Sequence, residues 1–163
     1  TLGEVLEPHA ERPNMPGYGI DEGGALLPWS WAVERLTTSH DYWLATNWPG
    51  HSPHVAPVWA VWHHDALWLS TGATSRKARN LAADPRATIT TEDPREPVVI
   101  EGRVERVDDH ARVAAFVGPY EAKYGPSGGL DFFLANACFR LAPGVAVAMI
   151  EADFTGTPTR WTF

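Results

Sequence analysis

The stretch HVAPVWAVWHHDALWLSTGATSRKARNLAADPRATIT, residues 54–90, decides how the chain folds. Residues 54–63 follow Ser52-Pro53 and are rich in Val and Trp, types that favour extended backbone, so they read as a strand. A tight connection at His63–Asp65 leads to a second strand, Ala66–Thr71. Gly72 then opens a polar loop. Ser75–Ala83 reads as a short helix ended by Asp84-Pro85, because proline disfavours helical geometry in the residue before it. Ala87–Thr91 returns to strand composition. Along 54–62, Val55, Pro57, Trp59 and Val61 point one way and His54, Ala56, Val58, Ala60 and Trp62 the other. Both sets are apolar, which predicts a strand covered on both faces.

Working outward, Asp41–Trp48 is a strand closing at Pro49-Gly50 and forms a hairpin with 54–63. Before it, Trp29, Trp31, Ala32, Arg35 and Leu36 give a partly amphipathic helix over 29–38, entered through Pro28. After it, Val98–Val107 is a strand, and Asp108 or Asp109 caps a helix running through Tyr124 to the Gly125-Pro126 stop. Phe139–Phe154 supplies a last long strand or strand pair. Six strands and three short helices joined by hairpin-like connections predict a mainly β (α+β) fold, a small antiparallel barrel with helices packed on it. Pro8, Pro13, Pro16, Gly17, Gly19, Gly23 and Gly24 make residues 1–27 poor in both helix and strand signals, so they read as an arm beside a domain over 28–163.

The chain has 163 residues, enough for one domain with a real core. Its 20 acidic residues outweigh 13 basic ones, a formal charge of −7, which disfavours nucleic acid as a partner. Cys138 is the single cysteine, so intrachain disulfides and cysteine-rich zinc sites are excluded. Thr1–Leu6 does not resemble a secretory signal and no apolar run reaches the roughly 20 residues of a membrane span, which predicts a cytoplasmic protein without membrane partners. Seven of the eight tryptophans fall between Trp29 and Trp68, with Trp29, Trp31 and Trp43 expected to pack the barrel and its first helix.

The strongest chemical signal is Ser70-Thr71-Gly72-Ala73-Thr74-Ser75-Arg76-Lys77. A helix start offers free N–H groups and a positive dipole end, and adjacent Arg76 and Lys77 add full charges, a combination suited to phosphate. A solvated basic helix simply capped by Ser75 fits the same residues. Spacing excludes a Walker loop. The apolar strand Val55–Trp62 beside this cluster could wall a flat aromatic ring, with Pro57 freeing neighbouring backbone groups from regular pairing; plain barrel core is the other reading. His51, His54, His63 and His64 yield no three-ligand geometry, so no metal is expected. No nucleophile elbow is present, which argues against hydrolysis, and no catalytic acid or base stands out.

The runs PHVAPVWAVW, ALWLSTGATSRKARNLAADPRATIT and EPVVIEGRVERVDD, a helix ending in AKYG and the terminal PTRWTF together resemble the pyridoxamine 5'-phosphate oxidase-like, FMN-binding split-barrel superfamily. The branch most resembled is that of F420-dependent oxidoreductases. The resemblance covers residues 28–163 and implies an antiparallel six-stranded split β-barrel with short peripheral helices, homodimeric, with cofactor at the dimer interface. It implies that Val55, Ala56, Pro57, Val58, Trp59 and Ala60 line the cofactor ring. Ser70 and Thr71 would meet its ribityl or phosphate part, and Ser75, Arg76 and Lys77 its phosphate. Trp161 would close over the partner's cofactor. The implied cofactor is the deazaflavin F420, with FMN second, and the implied activity is hydride transfer with an apolar or conjugated small-molecule substrate; a non-catalytic flavin, F420 or haem carrier is the alternative. Pro97 stands where true pyridoxamine-phosphate oxidases carry glutamine, and Pro158-Thr-Arg-Trp replaces their C-terminal arginine motif, which argues against vitamin B6 oxidation.

Overall fold

Period-two alternation of buried and open positions builds most of the molecule. The computed structural model describes residues 7–163; residues 1–6 of the expected arm lie outside the described residues. The strands are β1 (His9–Glu11), β2 (Tyr42–Thr46), β3 (His54–Val58), β4 (Ala60–His63), β5 (Ala66–Thr71), β6 (Arg86–Thr91), β7 (Val98–Val107), β8 (Ala137–Ala148) and β9 (Thr159–Thr162). The helices are α1 (Trp29–Thr38), α2 (Arg76–Ala83), α3 (His110–Tyr124) and α4 (Gly129–Leu134). Every strand pair is antiparallel.

The sheet runs β1-β9-β8-β7-β6-β2-β3, and β4 joins it through β5, which pairs with β8. Among the described residues it therefore has nine strands rather than the expected six, and its hydrogen-bonded path is not closed. Three differences account for the count. The expected strand 54–63 divides at Trp59, so that β3 pairs with β2 while β4 pairs with β5. The segment read as an arm contributes β1, and the C-terminus contributes β9, its antiparallel partner. Arg12 fastens this edge by donating from its guanidinium to the carbonyls of Pro158 at 2.7 Å and Gly156 at 2.8 Å.

The inward side chains of β2, β5, β6, β7 and β8 meet in one core that includes Tyr42, Leu44, Leu67, Leu69, Ile89, Ile100 and Leu141. Each such aliphatic side chain contributes about 1.5–3 kcal/mol when fully buried. A second apolar layer lies under α3 and α4, where Trp68, Val107 and Cys138 meet Val113, Phe116 and Phe133. Gly102 sits at the β7 bulge, where a Cβ would come within 2.4 Å of the Ala142 carbonyl oxygen, so the close approach of β7 to β8 depends on glycine.

The 54–63 stretch is not covered on both faces. Val55 is 55% exposed, Trp59 46% and Trp43, expected in the packing, 50%. Helices α1 and α3 pack on β4 and leave the outer face of β3 open, and Trp43 lies opposite Pro57 on that open face. Trp29 and Trp31 do pack against the core.

Candidate functional site

Where β3 passes into β4, the chain turns Trp59 outward into a groove of about 400 Å³ lined by Asp41, Pro57, Val58, Trp59, Ser70, Thr71, Lys77 and Tyr120. This volume falls within the range of small-molecule sites. Four segments build it: Asp41 at the entry to β2, the β3–β4 junction, the end of β5 with the first turn of α2, and the second half of α3.

The Ser70–Lys77 side of the groove is a product of local sequence. Ser75 caps α2, its Oγ accepting the Ala78 N–H at 3.2 Å, and Thr71 Oγ1 lies 3.2 Å from the same oxygen. First-turn amides of a helix have no intrahelical acceptors, so with Ala78 satisfied by Ser75 those of Arg76 and Lys77 are open to a ligand. Arg35, Arg86, Arg95, Arg106, Arg112 and Arg160 are paired with carboxylates, whereas none of Arg76, Lys77 and Arg79 is so paired among the described residues. Lys77 lines the groove. The Arg76 guanidinium instead lies 4.3 Å over the Trp48 ring, itself stacked on His51. The buried Ser70 Oγ meets no hydrogen-bonding partner; across the strand pair is the Cys138 thiol, whose Sγ is directed to the Phe133 carbonyl. Burial pushes the Cys138 pKa up.

The ring-type wall is held from behind by α3. Ala60 donates its N–H to Tyr124 OH at 3.1 Å, and its carbonyl accepts from Lys123 Nζ at 2.9 Å. Tyr124 OH also lies 2.8 Å from the Ala60 carbonyl and 2.7 Å from that of His40, and its single proton serves one of them at a time. The backbone of Ala60 thus ends regular strand pairing at the junction by bonding to side chains. Trp59 lies flat on Tyr124 and donates from Nε1 to Asp41 Oδ1 at 3.0 Å.

Lys123 Nζ donates also to Tyr42 OH at 2.7 Å. Desolvation brings its pKa down to about 8, against a partly compensating pull from Glu92 and Asp41. Burial raises the Tyr42 and Tyr120 pKa values and pushes Tyr124 up to about 12.

The groove brings together Pro57, Val58, Trp59, Ser70, Thr71 and Lys77. Ser75 supports it through Thr71. Val55 is displaced onto the open outer face, Ala56 is half-buried beside it, and Ala60 is buried with its backbone engaged. Trp161 does not join the groove: it is 1% exposed, packed edge-to-face against Trp29 in the barrel core. Asp41 and Tyr120 were missed by the sequence reading. The AKYG helix end held Lys123 and Tyr124 in plain view, and Tyr120 lies one turn before Tyr124.

The sequence profile described as pyridoxamine 5'-phosphate oxidase matches residues 32–136, more than half the chain. The chain belongs to that family. The matched part runs from α1 to the start of β8 and contains every groove-lining residue. Solved structures of the same fold include a conserved hypothetical protein of Mycobacterium tuberculosis, 21% identical, with 88% of this chain and 89% of that one covered and a TM-score of 0.68. An F420 reductase is 24% identical over 69% of this chain and 93% of its own, TM-score 0.58. A haem storage protein of Vibrio cholerae is 20% identical over 69% and 87%, TM-score 0.60. At these identities the likeness is one of fold. No curated protein matches the sequence. Among the described residues of this family member, no helix is long and apolar enough to cross a membrane.

Proposed function

We propose that the protein is a flavin- or deazaflavin-dependent oxidoreductase, with F420 as the first choice of cofactor and FMN the second, acting on a conjugated small molecule. The observation that carries this reading is the convergence, in one groove, of the apolar wall Pro57-Val58-Trp59 with Ser70, Thr71 and the carboxylate-free Lys77. These residues fit a ring joined to a phosphate: Thr71 and Lys77 place a hydroxyl and an amine in the groove lining, and the first turn of α2 supplies open amides.

The group, when bound, would supply hydride chemistry; the chain's own residues would bind, orient and exclude water. Lys77, the Arg76 and Lys77 amides and Thr71 would hold the phosphate end, with Arg76 reaching it from its resting place on Trp48. Pro57 and Val58 would pack on the ring, and Trp59, held by Tyr124 and Asp41, would shield it from solvent.

The reading includes a homodimer that completes the groove. Support comes from the row of open apolar side chains Trp43, Val55 and Pro57 on adjacent strands, a patch of the kind that marks association surfaces. A non-catalytic carrier is the second reading, favoured by the haem storage protein that shares the fold. Within the groove, Tyr120 is the residue of a type that ligates haem iron.

The deciding experiment titrates the purified protein with F420, FMN and haem, followed by tryptophan quenching, and then offers quinones and enones to any loaded form. Tight binding of F420 or FMN with turnover supports the oxidoreductase. Binding without reduction of any acceptor turns the reading to the carrier, and no binding of either flavin-type ligand overturns it.

A further inference from the structure

We propose that the Asp41–Trp59–Tyr120 end of the groove binds a planar organic cation, a ring system carrying a delocalised positive charge. This rests on the reading of the groove as a ligand site and names the chemistry of the second molecule it takes.

Trp59 and Tyr120 both line the groove, with ring centroids 6.5 Å apart and planes inclined at 50°, so they form two walls of an open corner. Tyr124 covers the back of the indole at 4.6 Å in a parallel stack, and Trp59 still exposes 46% of its surface. Indole and phenol faces carry the negative part of the ring quadrupole and attract cations, indole most strongly.

A carboxylate stands at the same corner. Asp41 lines the groove, is about half exposed, and spends Oδ1 on the Trp59 indole N–H and Oδ2 on His40 Nδ1 at 3.0 Å. A carboxylate offers about four acceptor positions, so Asp41 can take a further donor or face a positive charge. Glu92 adds to the negative field at Tyr124 and Lys123. Lys123 is engaged behind the stack: its amine donates to Tyr42 OH and the Ala60 carbonyl, with Nζ 5.2 Å from the Tyr124 ring centroid.

The groove lining therefore carries both signs, Lys77 at the start of α2 and Asp41 at the N–H edge of the Trp59 indole, beside the exposed indole and phenol faces. A neutral ring would gain stacking alone. A cationic ring gains stacking, cation–π attraction and the Asp41 charge together, while an anionic ring meets repulsion. Such a cation is also a hydride acceptor: gaining H⁻ forms one C–H or N–H bond and leaves a neutral product, the electron pair coming from a reduced flavin or deazaflavin.

The test is direct binding to the unloaded protein. Methylene blue is the cationic probe, 2-methyl-1,4-naphthoquinone the neutral one and anthraquinone-2-sulfonate the anionic one, each titrated at two salt concentrations. The cation is expected to bind about tenfold or more tightly than the other two. Asp41→Asn keeps an oxygen for the Trp59 N–H and removes the charge, and should weaken the cation about tenfold while leaving the quinone unchanged. Glu22→Gln, the same charge change at an exposed distant position, should do nothing. Equal binding of the three probes, or equal loss in both variants, overturns the proposal. Arg76→Ala/Lys77→Ala separates it from the functional reading: methylene blue should still bind while F420 or FMN binding falls, and flavin binding without cation preference refutes this proposal alone.

Discussion

The indole of Trp59 lies parallel to the phenol ring of Tyr124, with centroids 4.6 Å apart and planes within 1° of each other. The stack joins the β3–β4 junction to the last turn of α3, two segments far apart in sequence. Aromatic pairs contribute about 0.5–1.5 kcal/mol beyond the area they bury, and here the Tyr124 hydroxyl adds its bonds to Ala60.

The two contributions separate by substitution. Tyr124→Phe keeps the stack and leaves the Ala60 N–H without its acceptor, at a cost of about 1–3 kcal/mol. Tyr124→Ala should cost a further amount of about 0.5–1.5 kcal/mol or more as the stack is lost too. Urea midpoints of the two variants check the order; equal midpoints would show that the stack contributes nothing.

Lys123 makes stability depend on alkaline pH. Its pKa is down to about 8 in the folded chain against an ordinary 10.5, so in that window the unfolded chain holds a proton that the folded chain has released. Stability from this group therefore rises as pH increases from 8 to 10.5. Lys123→Met removes the effect, and the measurable quantity is the difference between wild type and variant in urea unfolding at pH 7.5 and pH 10. A difference that does not change in favour of the wild type refutes the assignment.

Lys77 and Arg76 are unequal. Lys77 lines the groove, whereas Arg76 rests on Trp48 and must leave it to reach a ligand. A charged hydrogen bond contributes about 1.5–3 kcal/mol, so Lys77→Ala should weaken F420 or FMN binding at least about tenfold, and Arg76→Ala less. Isothermal titration of both variants decides the order.

Gly102→Ala should destabilise the protein by about 1–3 kcal/mol, since its Cβ would press on the Ala142 carbonyl at 2.4 Å, a backbone atom that cannot swing aside. Thermal unfolding measures it, and an unchanged midpoint would mean that β7 and β8 separate without cost.

Val55→Glu places a charge on the open outer face. If two copies meet there, sedimentation should show the wild-type dimer replaced by monomer with unchanged circular dichroism; a dimer that persists moves the interface elsewhere.

The regular strands were legible because burial there follows residue alternation, as in Tyr42 and Leu44 or Val98 and Ile100. The division at Trp59 was not, since it depends on Lys123 and Tyr124 arriving from more than 60 positions away. β1 and β9 are short, and their pairing joins opposite ends of the chain. The local shape of Ser70–Lys77 was readable because a strand end, a cap and a helix start are local features. Asp41 and Tyr120 enter the groove through tertiary packing, which leaves no local signature. Trp161, which the resemblance places over a partner subunit's cofactor, is turned into the core of its own chain by the alternation along β9, a placement that local sequence did not signal.

Because β3 pairs with β2 while β4 pairs with β5, the peptide links on either side of Trp59 join two separate strand pairings of the sheet. A molecule wedged against Pro57, Val58 and Trp59 would brace both pairings at once. Slower amide hydrogen exchange along β3 and β4 would then announce occupancy even when the ligand itself is colourless.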